Sequence, residues 1–511
     1  MYDYKVSIIK SKINSLTIFN VSSIIMKKPI NLIILCILVQ FFAINSTFAQ
    51  DKSKQIEELI SKYNQYGQFN GSALVAENGK VILKKGFGSA NMEWNIPNQP
   101  DTKFRLGSIS KQFTALLIVK LAEEGKLKLD VPITTYLPDY PKETGNKITI
   151  HNLLTHTSGI PNYTSAPNFL KDKSRNPYTP EDFIKTFNKL PLDFVPGEKF
   201  KYSNSGYFLL GYIIEKVSGK TYEQYLQEII LTPLKMANTG YDHFEVIIKN
   251  RASGYEKNGK NISNASFIDM SIPYAAGSLY STVEDLYLWD QALYTNKLLS
   301  AKSMDLLFKP YITTGGNDFY GYGWFTSEET VGKKTDKVKV IEHGGGINGF
   351  NTVISRMPAD KNLVVLLNNT GGTVLSEMNN SIRAILYNQS FDEPKKSMAF
   401  ELLDVYTEKG ATIGTNTYKK LKSDPTYGIK ENDINQVGYQ LLQTGKKKEA
   451  IEVFKINVET FPKSGNAYDS LGEAYLADGD KTLAIVNYKK SVELDPTNEN
   501  GKKVLDEISK K

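Results

Sequence analysis

The C-terminal end of the chain carries a pattern that repeats after 34 residues, and this period strongly limits what the segment can fold into. The matched positions are Gly438 with Gly472, Gly445 with Gly479, Ala450 with Ala484, Phe454 with Tyr488, and Pro462 with Pro496. Such a period is typical of units of two antiparallel helices, in which small residues lie where the helices touch and an aromatic ring fills the groove. Proline ends each unit because it lacks the backbone N–H that a helix interior needs. The pattern predicts an all-α region at this end of the chain.

Two such units, residues 431–464 and 465–498, resemble tetratricopeptide repeats. A polar segment follows to Lys511 and is expected to form a helix that caps the stack. Two repeats are few for independent stability, so we expect them to pack on the preceding domain or on a partner. The resemblance implies that a protein partner binds through region 431–511.

The segment from residue 393 to residue 430 is polar and contains several glycines and prolines, which suits a linker with some helix in it. We therefore predict a domain boundary here, with a larger domain over residues 50–392. The chain of 511 residues is longer than one hydrophobic core usually serves, so two folded units are expected.

Two strand pairs bracket the larger domain. Residues 70–88 alternate in hydrophobicity around an Asn-Gly turn at 78–79, and residues 350–369 do so around a turn at 357–362. A helical pattern follows at 373–388, and the long middle of the domain is mostly helical and rich in loops. The sequence predicts an α+β fold, in which helices flank an antiparallel sheet built from both ends of the domain and a helical region is inserted between them.

The N-terminal part predicts export. Two lysines precede an apolar stretch at 30–42, and a small-residue cleavage site ends at Ala49. We expect residues 26–49 to be a signal peptide and residues 1–25 to be an upstream extension outside the fold. The apolar stretch is too short to be preferred as a membrane span, so we expect no transmembrane segment in the mature chain. The predicted location is periplasmic or extracellular, and membrane association stays open.

The cysteine content and the distribution of charge argue against disulfides, a thiol nucleophile and nucleic-acid binding. The single cysteine, Cys36, lies in the predicted signal peptide, so the mature chain has neither a disulfide nor a thiol nucleophile. The net charge of +7 comes from 62 basic and 55 acidic residues spread along the chain, which is too dilute for a nucleic-acid groove.

Ser108 and Lys111 form the first candidate for catalysis. They open an apolar run at 113–121 that fits a buried helix, and residues three apart share one face of a helix. A lysine that is partly desolvated can lose its proton and act as the base for a serine nucleophile. The backbone N–H of Ser108 is also a candidate for holding an oxyanion. The alternative is that Ser108 only caps the helix and Lys111 lies on the surface.

Tyr202 and Asn204 are the second candidate, at the start of another predicted helix. A phenolate beside a cationic lysine is stabilised, so Tyr202 could carry protons to the leaving group, while Asn204 could hold the substrate carbonyl or the lysine. The alternative is a buried aromatic beside a turn asparagine, because Tyr294 and Asn296 repeat the spacing by chance.

His343, Gly345 and Gly346 are the third candidate, placed just before a predicted strand at the edge of the sheet. Glycines let a backbone approach a ligand closely, so the Gly346 amide could complete an oxyanion hole and His343 could line it. One alternative is a glycine-rich turn with a solvated histidine. Another is a Ser-His-Asp triad, but the chain lacks the Gly-x-Ser-x-Gly elbow that would accompany it.

Together the three segments resemble the class C β-lactamase, D,D-peptidase and esterase superfamily of serine hydrolases over about residues 55–390. Segments 104–111, 153–160 and 276–282 look like further signatures of that superfamily. The resemblance implies the following roles: Ser108 as nucleophile, Lys111 and Tyr202 as proton carriers, Asn204 as an orienting group, and His343, Gly345 and Gly346 as the lining of the sheet edge. It implies neither a cofactor nor a metal.

His343 is also where the chain departs from this superfamily, because β-lactamases usually carry lysine there. A neutral imidazole grips a substrate carboxylate less strongly than an ammonium, which puts efficient β-lactam hydrolysis in doubt. His151 and His156 lack further ligands at a spacing suited to zinc, so we interpret His156 as a structural hydrogen-bonding residue. The aromatic pair Tyr322 and Trp324 either lines the substrate pocket or belongs to the core.

The resulting hypothesis is an exported serine hydrolase that forms an acyl-enzyme on Ser108. Its substrate would be an ester, an amide or a D-amino-acid peptide, as for an esterase or a D-alanyl-D-alanine carboxypeptidase. A true β-lactamase is the alternative within enzymes. The alternative from another class is a catalytically idle, penicillin-binding-like scaffold that recruits partners through the repeats.

Overall fold

An eight-stranded antiparallel sheet forms the centre of the larger domain. The computed structural model describes residues 51–167, 169, 173–331 and 337–509. In chain order the strands are β1 (Gly71–Glu77), β2 (Lys80–Phe87), β3 (Ile312–Gly315), β4 (Asp318–Tyr320), β5 (Phe325–Thr330), β6 (Lys337–Ile347), β7 (Phe350–Met357) and β8 (Asn362–Asn368). Their order across the sheet is β3-β4-β5-β6-β7-β8-β1-β2.

The two ends of the domain meet inside this sheet, as predicted. β1 pairs with β2 on one side and with β8 on the other, where Gly71 lies opposite Asn368. The β1–β2 turn has positive φ at Asn78 (51°) and at Gly79 (75°). A two-residue hairpin turn with both central residues in the left-handed region matches the twist of the strands it joins. Both predicted strand pairs and the α+β architecture are confirmed.

Helices cover both faces of the sheet, and alternate side chains of one strand enter two separate hydrophobic layers. In β1, Leu74 belongs to the layer on one face, while Ala73 and Val75 belong to the layer on the other. The second layer is covered by α1 (residues 51–65) and by the helix Ser376–Leu386, at the position of the predicted helix. Each fully buried aliphatic side chain contributes about 1.5–3 kcal/mol relative to exposure.

The inserted helical region covers the other face. Its longest helices are α2 (Ser110–Glu123), α3 (Asn204–Ser218) and α4 (Val283–Ala292). Apolar and buried residues lie all around α2, which is typical of a helix at the centre of a domain. The shorter helices and turns in this region are Gly107–Ile109, Ile133–Thr135, Lys142–Gly145, Ile150–Leu154, Tyr163–Ser165, Pro180–Ile184, Tyr222–Leu226, Gln227–Leu231, Thr232–Leu234, Tyr274–Ala276 and Ala301–Phe308.

Three small sheets lie beside the main one in the larger domain. Their strands are Ser89–Asn91 with Ile96–Pro97; Phe104–Arg105, Leu279–Ser281 and Gly240–Tyr241; and Thr370–Gly371, Tyr255–Asn258 and Asn261–Asn264. The second of these sheets holds the chain just before Ser108.

The segment predicted as a linker is largely helical, which differs from the expectation. Residues Met398–Leu421 are helical apart from a break at Gly410, where φ is 76° and ψ is 179°. Leu402, Tyr406 and Tyr418 from this segment share one hydrophobic cluster with the repeat helices. The polar sequence of the segment reflects its exposed face, while its apolar residues extend the repeat core by one helical pair.

The predicted repeat region is all helical, as expected. Its helices are α5 (Glu431–Gln443), α6 (Lys447–Thr460), α7 (Gly465–Asp478), α8 (Lys481–Leu494) and α9 (Glu499–Ser509). A Cβ added at Gly438 would lie 2.4 Å from the ring of Phe454, and one added at Gly472 would lie 3.1 Å from the ring of Tyr488. The small residue and the aromatic ring of each unit therefore face each other.

The segment that precedes the repeats contacts the larger domain through exposed ion pairs. Lys430 pairs with Glu377 at 2.7 Å, and Lys62 pairs with Glu393 at 2.9 Å. Exposed ion pairs of this kind contribute about 0–1 kcal/mol each. A cleft of about 1240 Å³ lined by charged and apolar side chains lies at this contact.

The predicted signal peptide and Cys36 lie outside the described residues. Within the part of the chain that is described, no helix combines the length and the apolar character that a membrane crossing requires.

Candidate active site

Ser108 lies in a tight turn, Gly107–Ile109, between the strand Phe104–Arg105 and helix α2. Gly107 has φ 55°, and a Cβ there would lie 2.9 Å from the backbone nitrogen of Gly346. Glycine is therefore needed for both the turn and the close approach of strand β6. Ile109 occupies the N-cap position of α2, and the turn has no side-chain capping bond, so Ser108 is not a helix cap.

Lys111 is completely buried, one helical turn after Ser108. Its Nζ lies 3.0 Å from Ser108 Oγ, 2.8 Å from Asn204 Oδ1 and 2.9 Å from the backbone oxygen of Ala276. The alternative of a surface lysine is excluded by this position.

Burial holds the pKa of Lys111 well below its usual value of 10.5. Among the described residues no carboxylate pairs with it, so the charged form would have hydrogen-bonding oxygens around it but no opposite charge. A neutral amine has two N–H donors, which suit the oxygens of Asn204 and Ala276, and one lone pair, which is left for the hydroxyl proton of Ser108. The arrangement is that of a general base beside its nucleophile.

Tyr202 contributes a buried phenol rather than the phenolate considered from the sequence. Burial raises the pKa of Tyr202, and a contact with the Ser108 hydroxyl opposes that rise only in part. Its hydroxyl has no hydrogen-bond partner of good geometry among the described residues. The Lys111 Nζ lies 4.8 Å from the Tyr202 ring centre, so the phenol is close to both Ser108 and the base. A protonated phenol here is suited to donate a proton.

Asn204 is the first residue of α3, and it orients the base. Its backbone N–H donates to Asn162 Oδ1 at 3.1 Å, while its own side-chain oxygen accepts from Lys111. Of the two roles open from the sequence, holding Lys111 is the one with a contact in this structure.

The segment of His343, Gly345 and Gly346 lies at the end of β6 and directly precedes β7, which is the first strand of the predicted pair. β6 is an interior strand, but its described pairing with β5 ends at Glu342, beyond which it pairs with β7. A Cβ at Gly345 would lie 1.9 Å from the backbone oxygen of Leu106. Glycine thus lets the open edge of β6 lie directly against the serine turn, with the exposed Gly346 beside it. The backbone N–H groups of Ser108 and Gly346 are the candidates for an oxyanion hole.

His343 is buried, and both ring nitrogens have partners. Nδ1 lies 2.6 Å from the backbone oxygen of Gly344, and Nε2 lies 3.1 Å from the hydroxyl of Tyr320. Burial, assisted by the charge of Lys111, lowers the pKa of His343 to about 3. A Ser-His-Asp triad is therefore not formed, and the neutral ring is already hydrogen-bonded rather than facing a substrate carboxylate.

Three further residues belong to the site. His156, with φ 56°, packs against Tyr202 with ring centres 4.2 Å apart and ring planes tilted by 35°, and it accepts the backbone N–H of Ser203 at 3.2 Å. It is a structural hydrogen-bonding residue, as interpreted from the sequence. Tyr320 was missed, because a lone tyrosine in a short strand carries no distinguishing pattern. The Ala276 carbonyl was missed because a backbone group gives no sequence signal.

Tyr322 and Trp324 are core residues. Tyr322 stacks on Tyr311 at 4.5 Å and its hydroxyl lies 2.8 Å from Nδ1 of His151. Trp324 is completely buried. In the described part of the chain, no group of three histidine, cysteine or acidic side chains is placed to hold a metal ion.

A serine in the turn before a helix and a buried lysine on that helix, beside an antiparallel sheet, a tyrosine and a glycine-rich strand, define a class of serine hydrolase. The beta-lactamase family model matches residues 56–388, and a tetratricopeptide repeat model matches residues 465–498. The chain belongs to the beta-lactamase family and is a serine hydrolase of that fold, with a C-terminal repeat region.

Several known proteins are similar to the larger domain. A putative penicillin-binding protein, PbpX, of Bacillus subtilis (strain 168) is 33% identical over 338 residues, which cover 66% of this chain and 80% of the relative. The octameric penicillin-binding protein homologue from Pyrococcus abyssi has a TM-score of 0.59 and 32% identity, and the match covers 66% of this chain and 78% of that one. D-amino acid amidase from Ochrobactrum anthropi SV3 has a TM-score of 0.57 and 26% identity, with coverages of 66% and 99%.

Proposed function

We propose that this protein is an exported serine hydrolase that cleaves an ester, an amide or a D-amino-acid peptide through an acyl-enzyme on Ser108. The observation that carries the proposal is the position of Lys111 Nζ, 3.0 Å from Ser108 Oγ and completely buried without a carboxylate partner. A neutral lysine in this position makes serine a nucleophile at physiological pH.

In the first half-reaction the proton of the Ser108 hydroxyl moves to Lys111 Nζ while Oγ attacks the substrate carbonyl carbon. The carbonyl oxygen becomes an oxyanion and is held by the backbone N–H groups of Ser108 and Gly346. Tyr202 then donates its proton to the leaving alcohol or amine, and the proton taken up by Lys111 restores the phenol. The C–O or C–N bond to the leaving group breaks, and the acyl group stays on Ser108.

In the second half-reaction water attacks the acyl carbon, and the neutral amine of Lys111 removes its proton. The tetrahedral intermediate collapses, the ester bond to Ser108 breaks, and the serine oxygen regains a proton from Lys111. The acid product leaves, and every group returns to its starting protonation state.

The preference for esters and D-amino-acid derivatives over β-lactams is supported by His343. Its two ring nitrogens are taken by Gly344 and Tyr320, so it offers no cation to the carboxylate that β-lactams carry. The likeness to a D-amino acid amidase supports a D-configured amide or peptide as one substrate class. D-alanyl-D-alanine ends also carry a carboxylate, so a carboxypeptidase activity on them, which stays part of the proposal, needs a group other than His343 to bind it.

Export and partner binding are also part of the proposal. The signal pattern at 26–49 supports a location in the periplasm or outside the cell, with Gln50 as the first mature residue. The repeat helices support recruitment of a protein partner in addition to catalysis. N-terminal sequencing of protein recovered from the periplasm or medium tests the first statement, and a start other than near residue 50 would contradict it.

The test of the reaction is hydrolysis of a small chromogenic ester by residues 50–511, beside Ser108→Ala and the control Ser423→Ala. Ser423 is an exposed serine in the C-terminal region, so its loss should leave turnover unchanged. We expect Ser108→Ala to remove turnover, and mass spectrometry of the wild type trapped with a phosphonate ester to find the adduct on Ser108. Equal turnover in both variants, or an adduct elsewhere, would exclude Ser108 as the nucleophile. If the wild type and Ser108→Ala are both folded and both inactive, the catalytically idle scaffold is favoured.

A further inference from the structure

The hydroxyl of Tyr320 lies between two histidines that come from distant parts of the chain. It is 3.2 Å from Nε2 of His156 and 3.1 Å from Nε2 of His343. All three side chains are buried, with exposures of 0%, 1% and 2% for Tyr320, His156 and His343. A single hydroxyl has one proton, so it can donate to only one of the two imidazoles and must accept from the other.

The contacts of His343 fix its tautomer. Its Nδ1 lies 2.6 Å from the backbone oxygen of Gly344, and a carbonyl oxygen can only accept a hydrogen bond. Nδ1 therefore carries the proton. Because burial keeps the pKa of His343 near 3, the ring is neutral at neutral pH and Nε2 is left with its lone pair. Tyr320 must then donate its hydroxyl proton to His343.

The contacts of His156 fix the opposite tautomer. Its Nδ1 accepts the backbone N–H of Ser203 at 3.2 Å, so that nitrogen is unprotonated. Burial holds the pKa of His156 well below its usual range, with help from Lys111 and His343. The neutral ring thus has its proton on Nε2 and donates it to the oxygen of Tyr320. The other phenol facing Tyr320, that of Tyr207, donates to the backbone oxygen of Leu154 at 2.8 Å.

One directed chain of hydrogen bonds results. It runs from the Ser203 N–H through His156, Tyr320 and His343 to the Gly344 carbonyl. Its first member lies between Tyr202 and Asn204 in the sequence, and its last lies two residues before Gly346. The chain therefore ties the backbone of the proton-carrying segment to the backbone of the glycine strand.

We propose that Tyr320 is a positioning residue, whose hydroxyl fixes the tautomers of His156 and His343 and thereby holds Tyr202 and strand β6 in place around Ser108. The ring of His156 contacts that of Tyr202, with 4.2 Å between ring centres, so the orientation of His156 positions the phenol. The bond from His343 to the Gly344 oxygen carries it to the open edge of β6. This role rests on the proposed hydrolase function, but the tautomers themselves do not.

The direct test is nitrogen-15 NMR of histidine side chains in residues 50–511 at pH 7. The chain has four histidines, so each signal can be assigned by substituting one histidine at a time. We expect His343 to be protonated at Nδ1 and His156 at Nε2, as two neutral rings of opposite tautomer. The same tautomer in both rings, or a charged ring in either, would overturn the proposal.

The second test is Tyr320→Phe, which removes the hydroxyl and keeps the ring. Tyr322→Phe is a matched control, because the Tyr322 hydroxyl contacts His151, which is outside this chain of bonds. We expect Tyr320→Phe to lower kcat for a small ester roughly tenfold to a hundredfold with little change in KM, since two buried nitrogens lose their partner. Its His156 and His343 signals should shift, whereas in the control both the signals and kcat should match the wild type.

The outcomes separate this proposal from the hydrolase function. Unchanged kcat and unchanged histidine signals in folded Tyr320→Phe would exclude a positioning role while Ser108 chemistry stands. An equal loss of kcat in Tyr322→Phe would also overturn it, because a general packing effect would then explain both variants. If no ester is turned over, the histidine signals of the wild type still decide whether the chain of bonds exists.

Discussion

Lys111 Nζ lies 3.0 Å from Ser108 Oγ, while its two remaining contacts, to Asn204 and Ala276, are both with carbonyl oxygens. The two carbonyls use the two protons of a neutral amine, so the lone pair is directed to the serine. We expect the state of this one nitrogen to decide both activity and part of the stability, and four of the following predictions depend on it.

Lys111→Arg should lower kcat for a small ester by a factor of about 10²–10⁴, because a guanidinium stays charged and cannot accept the serine proton. The measurement is steady-state turnover at pH 8. Lys120→Arg, at a partly exposed position on the same helix, is the control and should keep wild-type kcat. Wild-type turnover in Lys111→Arg would show that another group is the base.

The rate should rise with pH through the lowered pKa of Lys111 and then stay level to alkaline pH, because burial raises the pKa of Tyr202 and keeps it a phenol. The neighbouring His156 and His343 stay neutral in this range because burial lowers the pKa of each. A pH profile of kcat checks this. Full activity at pH 4 would contradict a lysine base.

Stability should depend on pH through the same group. The pKa of Lys111 is lowered in the folded chain, so the unfolded chain binds a proton that the folded chain lacks between the folded-state and the usual pKa. The free energy of unfolding therefore falls as pH is lowered through that range and levels off below it. Urea unfolding of wild type and Lys111→Met at several pH values isolates this contribution, and equal pH dependence in both proteins would refute it.

Asn204→Asp should raise the pKa of Lys111, since a carboxylate at 2.8 Å favours the charged amine. The acid limb of the kcat profile should move to higher pH by about 1–3 units, with a lower rate at pH 7. Asn296→Asp makes the same chemical change at an exposed site and should leave the profile in place. An unmoved acid limb in Asn204→Asp would mean that Lys111 does not set it.

His343→Lys introduces the residue that β-lactamases usually carry at this position. In this chain the site is buried and faces Tyr320 and Tyr202, so we expect a destabilisation of about 3 kcal/mol or more from an unpaired buried charge. Urea unfolding measures the loss. His243→Lys, which can keep the exposed contact with Glu223, should change stability by less than about 0.5 kcal/mol. A stable His343→Lys variant that hydrolyses β-lactams would contradict this account of the site.

The fold could be predicted from the sequence where the local residue pattern agrees with the way in which the elements are connected. The Asn78-Gly79 turn fixes a hairpin by backbone conformation alone, and the repeat period fixes paired helices because the same contact recurs. Segment 393–430 was predicted as a linker with some helix in it, and the structure has more helix there. A polar composition occurs both in loops and on the exposed face of a helix, so it does not distinguish the two. Only the packing of Leu402 and Tyr406 against the repeats distinguishes the two.

The candidate site residues could be predicted from the sequence where the chemistry needs a residue pattern that is rare. Ser108, Lys111 and the His343 segment stand out because serine–lysine and glycine-rich spacings have few structural reasons to occur together. The protonation state of Tyr202 was not predictable, because it depends on burial, which a sequence does not give. Tyr320 and the Ala276 carbonyl become visible only when segments far apart in the chain are brought together.

The pairing of β1 with β8 has a consequence for the order in which the molecule forms. A ribosome must make Asn368 before Gly71 has its partner in β8, so Ser108 is synthesised long before the sheet beside it can close. Contacts between distant residues slow folding, whereas the repeat helices meet their neighbours within a few tens of residues. The repeat region, synthesised after the sheet, is therefore among the quickest parts to fold, and Ser108, made early, stays without its glycine strand until the sheet is complete.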